Sequence, residues 1–246
     1  VIRELLPVIG RPTVTYGFSQ QADFRITDLE SAGLRTRFCV QRPEQVPVSV
    51  DLAMPGRHNV LNAAAAVVVA TDQGLDTAVI ADSLSRFDGV SRRFSVLGEL
   101  QLPRGSATLV DDYGHHPTEV RATLASARQA WPQRRVVMVY QPHRFTRTRD
   151  LYEDFVSVLS TCDALVLLEV YAAGESAVPG ADSRSLARSI RQRGKVEPVY
   201  VRDVAQVAPL LAGVLRDGDV IITQGAGDIA GLARDLAARG VGEARS

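Results

Sequence analysis

Residues 109–117 read LVDDYGHHP: Leu109, Val110, Asp111, Asp112, Tyr113, Gly114, His115, His116, Pro117. Val110 closes a short apolar run of the kind that forms a buried strand. Gly114 interrupts the pattern, and Pro117 stands where a helix can begin. Two carboxylates, a phenol and two imidazoles therefore crowd one strand-to-helix crossing. In an open α/β sheet such a crossing lies outside the carboxyl ends of the strands, where ligands bind. Five of the seven residues after Val110 can titrate or hydrogen-bond, which is dense for a plain connection. His-His beside Asp-Asp matches no standard metal-ligand spacing, so no metal site is assigned to this loop.

Outward from this stretch towards the carboxyl end, the period is strand then helix. Apolar runs at 107–110, 136–140, 164–170, 198–201 and 220–223 alternate with helical patterns near 117–130, 149–161, 183–193, 204–215 and 228–239. That alternation predicts an α/β fold with a mainly parallel sheet covered on both faces. Four polar clusters follow strands: DDYGHHP, QPHRFTRTRD, EVYAAGES and QGAGD. All four are expected at one edge of the sheet. In the second, His143, Arg144, Arg147 and Arg149 stand ahead of a helix, either as an anion site or as a solvated basic face. The last, Gly225-Ala226-Gly227-Asp228, is half of a dinucleotide fingerprint; its glycines equally suit a tight turn.

Towards the amino end, the pattern differs. Residues 1–10 read as a short helix and 13–18 as a strand. Residues 23–53 alternate at a period near two, predicting a small antiparallel sheet with an arginine-bearing face in water. Pro55-Gly56 ends that pattern. HNVLNAAAAVVVATDQG is a helix whose alanines permit close packing, and a second helix spans about 76–87 with Asp76 or Thr77 as cap. Arg57, His58, Asn59 and Asn62 cluster at the first helix's start. Asn59 and Asn62 share a face and could read an adenine edge, or Asn59 could be an ordinary N-cap. Gly89 to Arg93 reads as a seam, with Arg92 and Arg93 exposed and able to hold a polyphosphate or ribose. Residues 1–93 and 94–246 are thus the two expected domains.

The 246 residues carry 28 basic and 28 acidic side chains, for a formal net charge of zero. No long-range field draws such a chain onto nucleic acid or a membrane. Lys195 is the sole lysine. Cys39 and Cys162 fit no redox or zinc pattern and read as buried thiols of a cytoplasmic protein. The apolar stretch 60–70 is too short to span a bilayer. The chain opens at Val1 directly into a helix-like segment, so a missing amino-terminal portion is expected.

The motifs GRHNVLNAAAA, SRRF, VDDYGHHPTEV, QPHRFTRTRD, EVYAAGE and QGAGD, in this order and spacing, resemble the Mur ligase family, and within it the bacterial ligases that add L-alanine to UDP-N-acetylmuramate. The resemblance implies the second half of a central ATPase domain followed by a whole Rossmann-like carboxy-terminal domain. It implies ATP, magnesium, L-alanine and UDP-N-acetylmuramate as reactants, an acyl-phosphate intermediate, and a place in peptidoglycan synthesis. His58, Asn59 and Asn62 then resemble adenine contacts. Arg93 and Arg92 resemble nucleotide contacts, and Asp111 or Asp112 a ribose or phosphate partner. Tyr113, His115, His143, Arg144 and Arg147 resemble the groups around the nascent amide. No GxxGK[ST] occurs in the 246 residues, so the phosphate loop and magnesium ligands are expected upstream of Val1 and the isolated chain is expected to be inactive. An NAD(P)-dependent oxidoreductase and a non-catalytic nucleotide-binding module are the competing readings.

Overall fold

The computed structural model describes residues 2–241. These divide into two compact units, with the division between Asp88 and Gly89.

The first unit opens with α1 (Ile2–Leu5) and a single 3-10 turn. Its sheet has the order β1 (Tyr16–Gly17), β2 (Phe24–Ala32), β3 (Arg35–Arg42), β4 (Gln45–Leu52). The pairs β2/β3 and β3/β4 are antiparallel. The strand expected over 13–18 shrinks to two residues, and it pairs with β2 in parallel. Thr15 and Asp23 explain the change: Asp23 accepts from the Thr15 backbone N–H and hydroxyl, pinning the chain before it turns. Alternate residues of the sheet, among them Phe38, Val40, Val48 and Val50, are buried against α2 (Arg57–Asp72). Ala63 and Ala64 of α2 lie in that contact, where their small side chains let helix and sheet approach. The opposite face is wet, and there Arg35 and Arg37 both reach Asp51. Helix α3 (Thr77–Ser85) is capped by the Asp76 carboxylate, which accepts from the Ala78 N–H at 2.7 Å.

The second unit is a six-stranded sheet in the order β5 (Ser95–Gln101), β6 (Ser106–Asp112), β10 (Val220–Gln224), β7 (Val136–Tyr140), β8 (Ala164–Leu168), β9 (Pro198–Val201). Only the edge strand β5 runs antiparallel; the other pairs are parallel. β7 and β10 are buried at every residue, as parallel strands covered on both faces must be. Leu109, Val137, Val139, Val166 and Ile221 pack under α8 (Val207–Val214) and α9 (Ile229–Arg239). Helices α4 (Pro117–Ala130), α6 (Tyr152–Leu159) and α7 (Ser183–Gln192) lie side by side on the other face. The helix expected over 149–161 is broken: α5 (Phe145–Asp150) precedes α6 and Leu151 separates them. The last strand in sequence, β10, inserts between β6 and β7.

Among the described residues no helix is long and apolar enough to cross a membrane. Cys162 is buried, whereas Cys39, expected to be buried too, is only half-covered beside Ser49.

Candidate functional site

Register brings the polar clusters together. Gln224 at the end of β10 stands level with Asp112 on β6 and Tyr140 on β7, so the loops after β6, β10 and β7 leave the sheet side by side, and the loop after β8 adjoins them.

Asp111 and Asp112 do not lie in a loop; they end β6 and are buried. The Asp111 carboxylate accepts from Arg92 Nε at 3.0 Å and from the Thr223 hydroxyl at 3.0 Å. Burial holds its pKa above the ordinary carboxylate range, against the pull of Arg92. Asp112 accepts from the backbone N–H groups of Phe94 and Gly114 at 2.9 and 2.7 Å and from the Gln224 amide at 2.9 Å. Every carboxylate oxygen of the pair is thus engaged by the chain itself. A Cβ on Gly114 would sit 2.5 Å from Gln224 and 2.6 Å from Asp112, so glycine is what lets the chain wrap this closely round the carboxylate.

Arg92, expected to be exposed, is folded inward. Besides Asp111 it donates to the Gly225 carbonyl, and its own carbonyl accepts from the Tyr113 N–H. Arg92 and Phe94 both have positive φ, 60° and 53°, a conformation that costs non-glycine residues energy and that these hydrogen bonds hold in place. Arg93 is the exposed member of the pair; it reaches Glu119 at 3.4 Å and stacks over the Tyr113 ring.

His116 caps α4. Its ring nitrogen accepts from the Thr118 N–H, while Glu119 accepts from the His115 and His116 N–H groups at 2.8 and 3.0 Å, a capping box built on a histidine. Burial opposes charge on Glu119, but those two N–H groups outweigh it and hold the carboxyl below its usual range. The box orients the loop so that His115, not His116, meets the neighbouring loops. The His115 ring stands edge-on to Tyr113 at 5.2 Å and 5.6 Å from the His143 ring.

His143 and Tyr171 form an isolated parallel bridge with stacked rings 5.5 Å apart. Arg144 enters α5 at φ 73°, its N–H held by the Tyr171 carbonyl. Its side chain is exposed. Arg147 turns back and donates to the His143 carbonyl at 3.0 Å and to His143 Nδ1 at 3.3 Å. Arg149 points elsewhere, to Asp150. Burial lowers the His143 pKa, with the charges of Arg147, His115 and Arg144 adding to the effect. Glu175 clamps Thr146 through its N–H and hydroxyl at 3.0 and 2.7 Å, and these bonds lower its pKa.

Four side chains, Glu119 among them, escaped the sequence reading. Tyr171 and Glu175 fix the basic turn from the loop after β8, and Gln141 ties β7 to the QGAGD loop by donating to Asp228 at 2.6 Å and accepting from the Ile229 N–H. The signal for the first two was present, since EVYAAGES follows a strand beside QPHRFTRTRD. Glu119 was also legible as the third residue of a helix opened by His116-Pro117. The glycines of QGAGD serve packing: a Cβ on Gly227 would meet Gln141 at 2.4 Å and Tyr171 at 2.7 Å.

In the first unit, Asn59 is not the cap of α2; Gly56 is, at φ 99°. Asn59 is buried and donates to the Pro55 carbonyl at 2.8 Å. Asn62 is exposed, His58 is half-buried, and Arg57 stacks on Phe18. Among the described residues no group of three or more His, Cys, Asp or Glu is placed to hold a metal ion.

Residues 92–227 match the family described as Mur ligase, glutamate ligase domain, and residues 2–70 match the Mur ligase middle domain. Among solved structures, UDP-N-acetylmuramate–alanine ligase from Thermotoga maritima is similar at 26% identity and TM-score 0.75, over 92% of this chain and 47% of that one. A murein peptide ligase from Psychrobacter arcticus is similar at 18% identity and TM-score 0.61, over 94% of this chain and 47% of the other. The MurF ligase from Thermotoga maritima, solved with ADP, gives 18% and 0.67 over 98% and 51%. The last two share the fold. This chain spans about half the length of each.

Proposed function

We propose, from the premise that this chain belongs to the Mur ligase family, that it is part of an ATP-dependent ligase joining L-alanine to UDP-N-acetylmuramate. The observation that carries the reading is the convergence of His115, His143, Arg144 and Tyr113 at the carboxyl ends of β6 and β7. Amide synthesis from a carboxylate and an amine needs the carboxylate activated, as an acyl phosphate, and water kept away from it. It also needs fixed cationic and N–H donors for the negative charge on the incoming amino acid and on the departing phosphate. Arg144, exposed and rigidly rooted through its N–H, supplies such a donor, and Arg93 beside Tyr113 supplies another for the nucleotide side. Arg147 and Arg92 act through what they hold, His143 and Asp111. Asp111 and Asp112 serve the nucleotide region by fixing Arg92 and the Tyr113 turn. His58, Asn59 and Asn62 are assigned to the adenine, and magnesium to residues outside this chain.

The test is steady-state kinetics on the complete ligase with ATP, UDP-N-acetylmuramate and a panel of amino acids and short peptides. L-alanine is the expected amine. Arg144→Lys should cut kcat/KM for it about tenfold, equal to about 1.4 kcal/mol, because an ammonium does not reproduce the guanidinium fork. Turnover only with another amine, or a loss confined to the KM of the UDP-sugar, would refute the assignment.

A further inference from the structure

His115 and His143 are neighbours, yet their Nδ1 atoms face opposite kinds of partner. His115 Nδ1 lies 3.1 Å from the Tyr113 carbonyl oxygen. A carbonyl only accepts, so this nitrogen must carry the proton. His143 Nδ1 lies 3.3 Å from Arg147 Nη1. A guanidinium only donates, so this nitrogen must be bare, and the neutral ring's proton sits on Nε2. Neither Nε2 has a hydrogen-bond partner among the described residues.

We propose that the fold locks this histidine pair in opposite tautomers, so that the site presents one imidazole lone pair, on His115 Nε2, beside one imidazole N–H, on His143 Nε2. The ligand head group this suits has a donor and an acceptor a few ångströms apart, as the ammonium and carboxylate of an α-amino acid are. Only the naming of that ligand rests on the ligase reading; the tautomers follow from the partners.

The groups facing His143 come from three loops. Arg144 belongs to its own loop and Arg147 to α5, which that loop enters; His115 belongs to the loop after β6, and Tyr171 and Glu175 to the loop after β8. Two guanidinium groups against one carboxylate favour the neutral ring. Protonation of His143 would also set an N–H against the Arg147 N–H. His115 is arranged the other way. A proton added at its Nε2 leaves the bond to Tyr113 intact, and the resulting delocalised ring charge has a Glu119 carboxylate oxygen 3.9 Å from Nδ1. His115 is therefore the member of the pair able to take a proton from an ammonium, whose N–H bond breaks as the ring N–H forms, leaving the amine its electron pair. His143 stays a donor throughout. Arg147 is a positioning residue on this account, since both its bonds go to His143.

Long-range ¹H–¹⁵N correlation spectra distinguish the tautomers directly, and the chain has only four histidines, assignable by single His→Gln substitutions. In the unsubstituted chain near neutral pH, His143 should show a bare Nδ1 and a protonated Nε2, and His115 the reverse in its neutral form. Arg147→Met should move His143 to the averaged shifts of a free imidazole and raise the pH at which it titrates, with an unchanged far-UV spectrum showing that the fold survives. A protonated Nδ1 on His143, a bare Nδ1 on neutral His115, or a His143 tautomer indifferent to Arg147→Met would overturn the proposal. These readouts need no turnover, so a ligase that used another amine would sink the functional reading while leaving the tautomer result to stand or fall by itself.

Discussion

Asp112→Ala tests whether the second carboxylate of the DDYGHHP stretch is scaffolding. Asp112 satisfies three donors, of which the Phe94 and Gly114 N–H groups belong to buried residues. The third donor, the Gln224 amide, keeps a bond to Thr123 at 3.0 Å when Asp112 is lost. Each buried N–H left unpaired costs about 1–3 kcal/mol, so two cost about 2–6 kcal/mol. Removing a buried charge returns part of this, and a net destabilisation of about 2–4 kcal/mol is expected. Asp112→Asn should fall between, at about 1–3 kcal/mol, because its NH₂ faces one of the donors that the carboxylate oxygen served. The assay is urea unfolding followed by tryptophan fluorescence. Trp131 is the sole tryptophan, lies in the second unit, and stacks on Phe94 at 6.1 Å. It therefore reports the unit and the very segment that Asp112 anchors. Hydrogen exchange at Phe94 and Gly114 should accelerate in parallel. An Asp112→Ala chain within about 1 kcal/mol of the parent, with both amides still protected, would refute the reasoning and leave Asp112 free for a ligand.

Two further outcomes follow from burial and charge. Asp163 is partly buried, which opposes its charge, but Arg128 at 3.1 Å and the Val136 N–H at 2.7 Å outweigh this and lower its pKa. Its contribution to stability is therefore present above the ordinary carboxylate range and lost as pH falls through the depressed value; Asp163→Asn should flatten the acid limb of Tm between about pH 5 and about pH 2, and an unchanged limb would count against the bond. Burial pushes the Cys162 thiol up to about 12, so a thiol reagent at mildly alkaline pH should label half-covered Cys39 in the native chain and Cys162 only on unfolding; equal rates at both would contradict the packing.

Local chemistry was enough for much of this protein. Strand β7 and helix α4 occupy the residues their patterns predict, 136–140 and 117–130, because apolar runs and the His116-Pro117 start are short-range signals. The clustering of four polar loops at one sheet edge also follows from strand-helix alternation alone. The partners inside that cluster do not. Asp111 and Asp112 read as loop carboxylates until the register of β6 against β10 buries them beside Thr223 and Gln224. Arg92 reads as exposed until Asp111 and the Gly225 carbonyl, far along the chain, draw it in. Asn59 reads as a cap until Gly56 takes that place. Hydrophobic period is a property of a few neighbouring residues and survives in the sequence. Strand order, by contrast, rests on pairings between residues far apart in the chain, and it put β10 between β6 and β7. Only that insertion decided which distant side chains meet, Thr223 with Asp111 and Gln224 with Asp112.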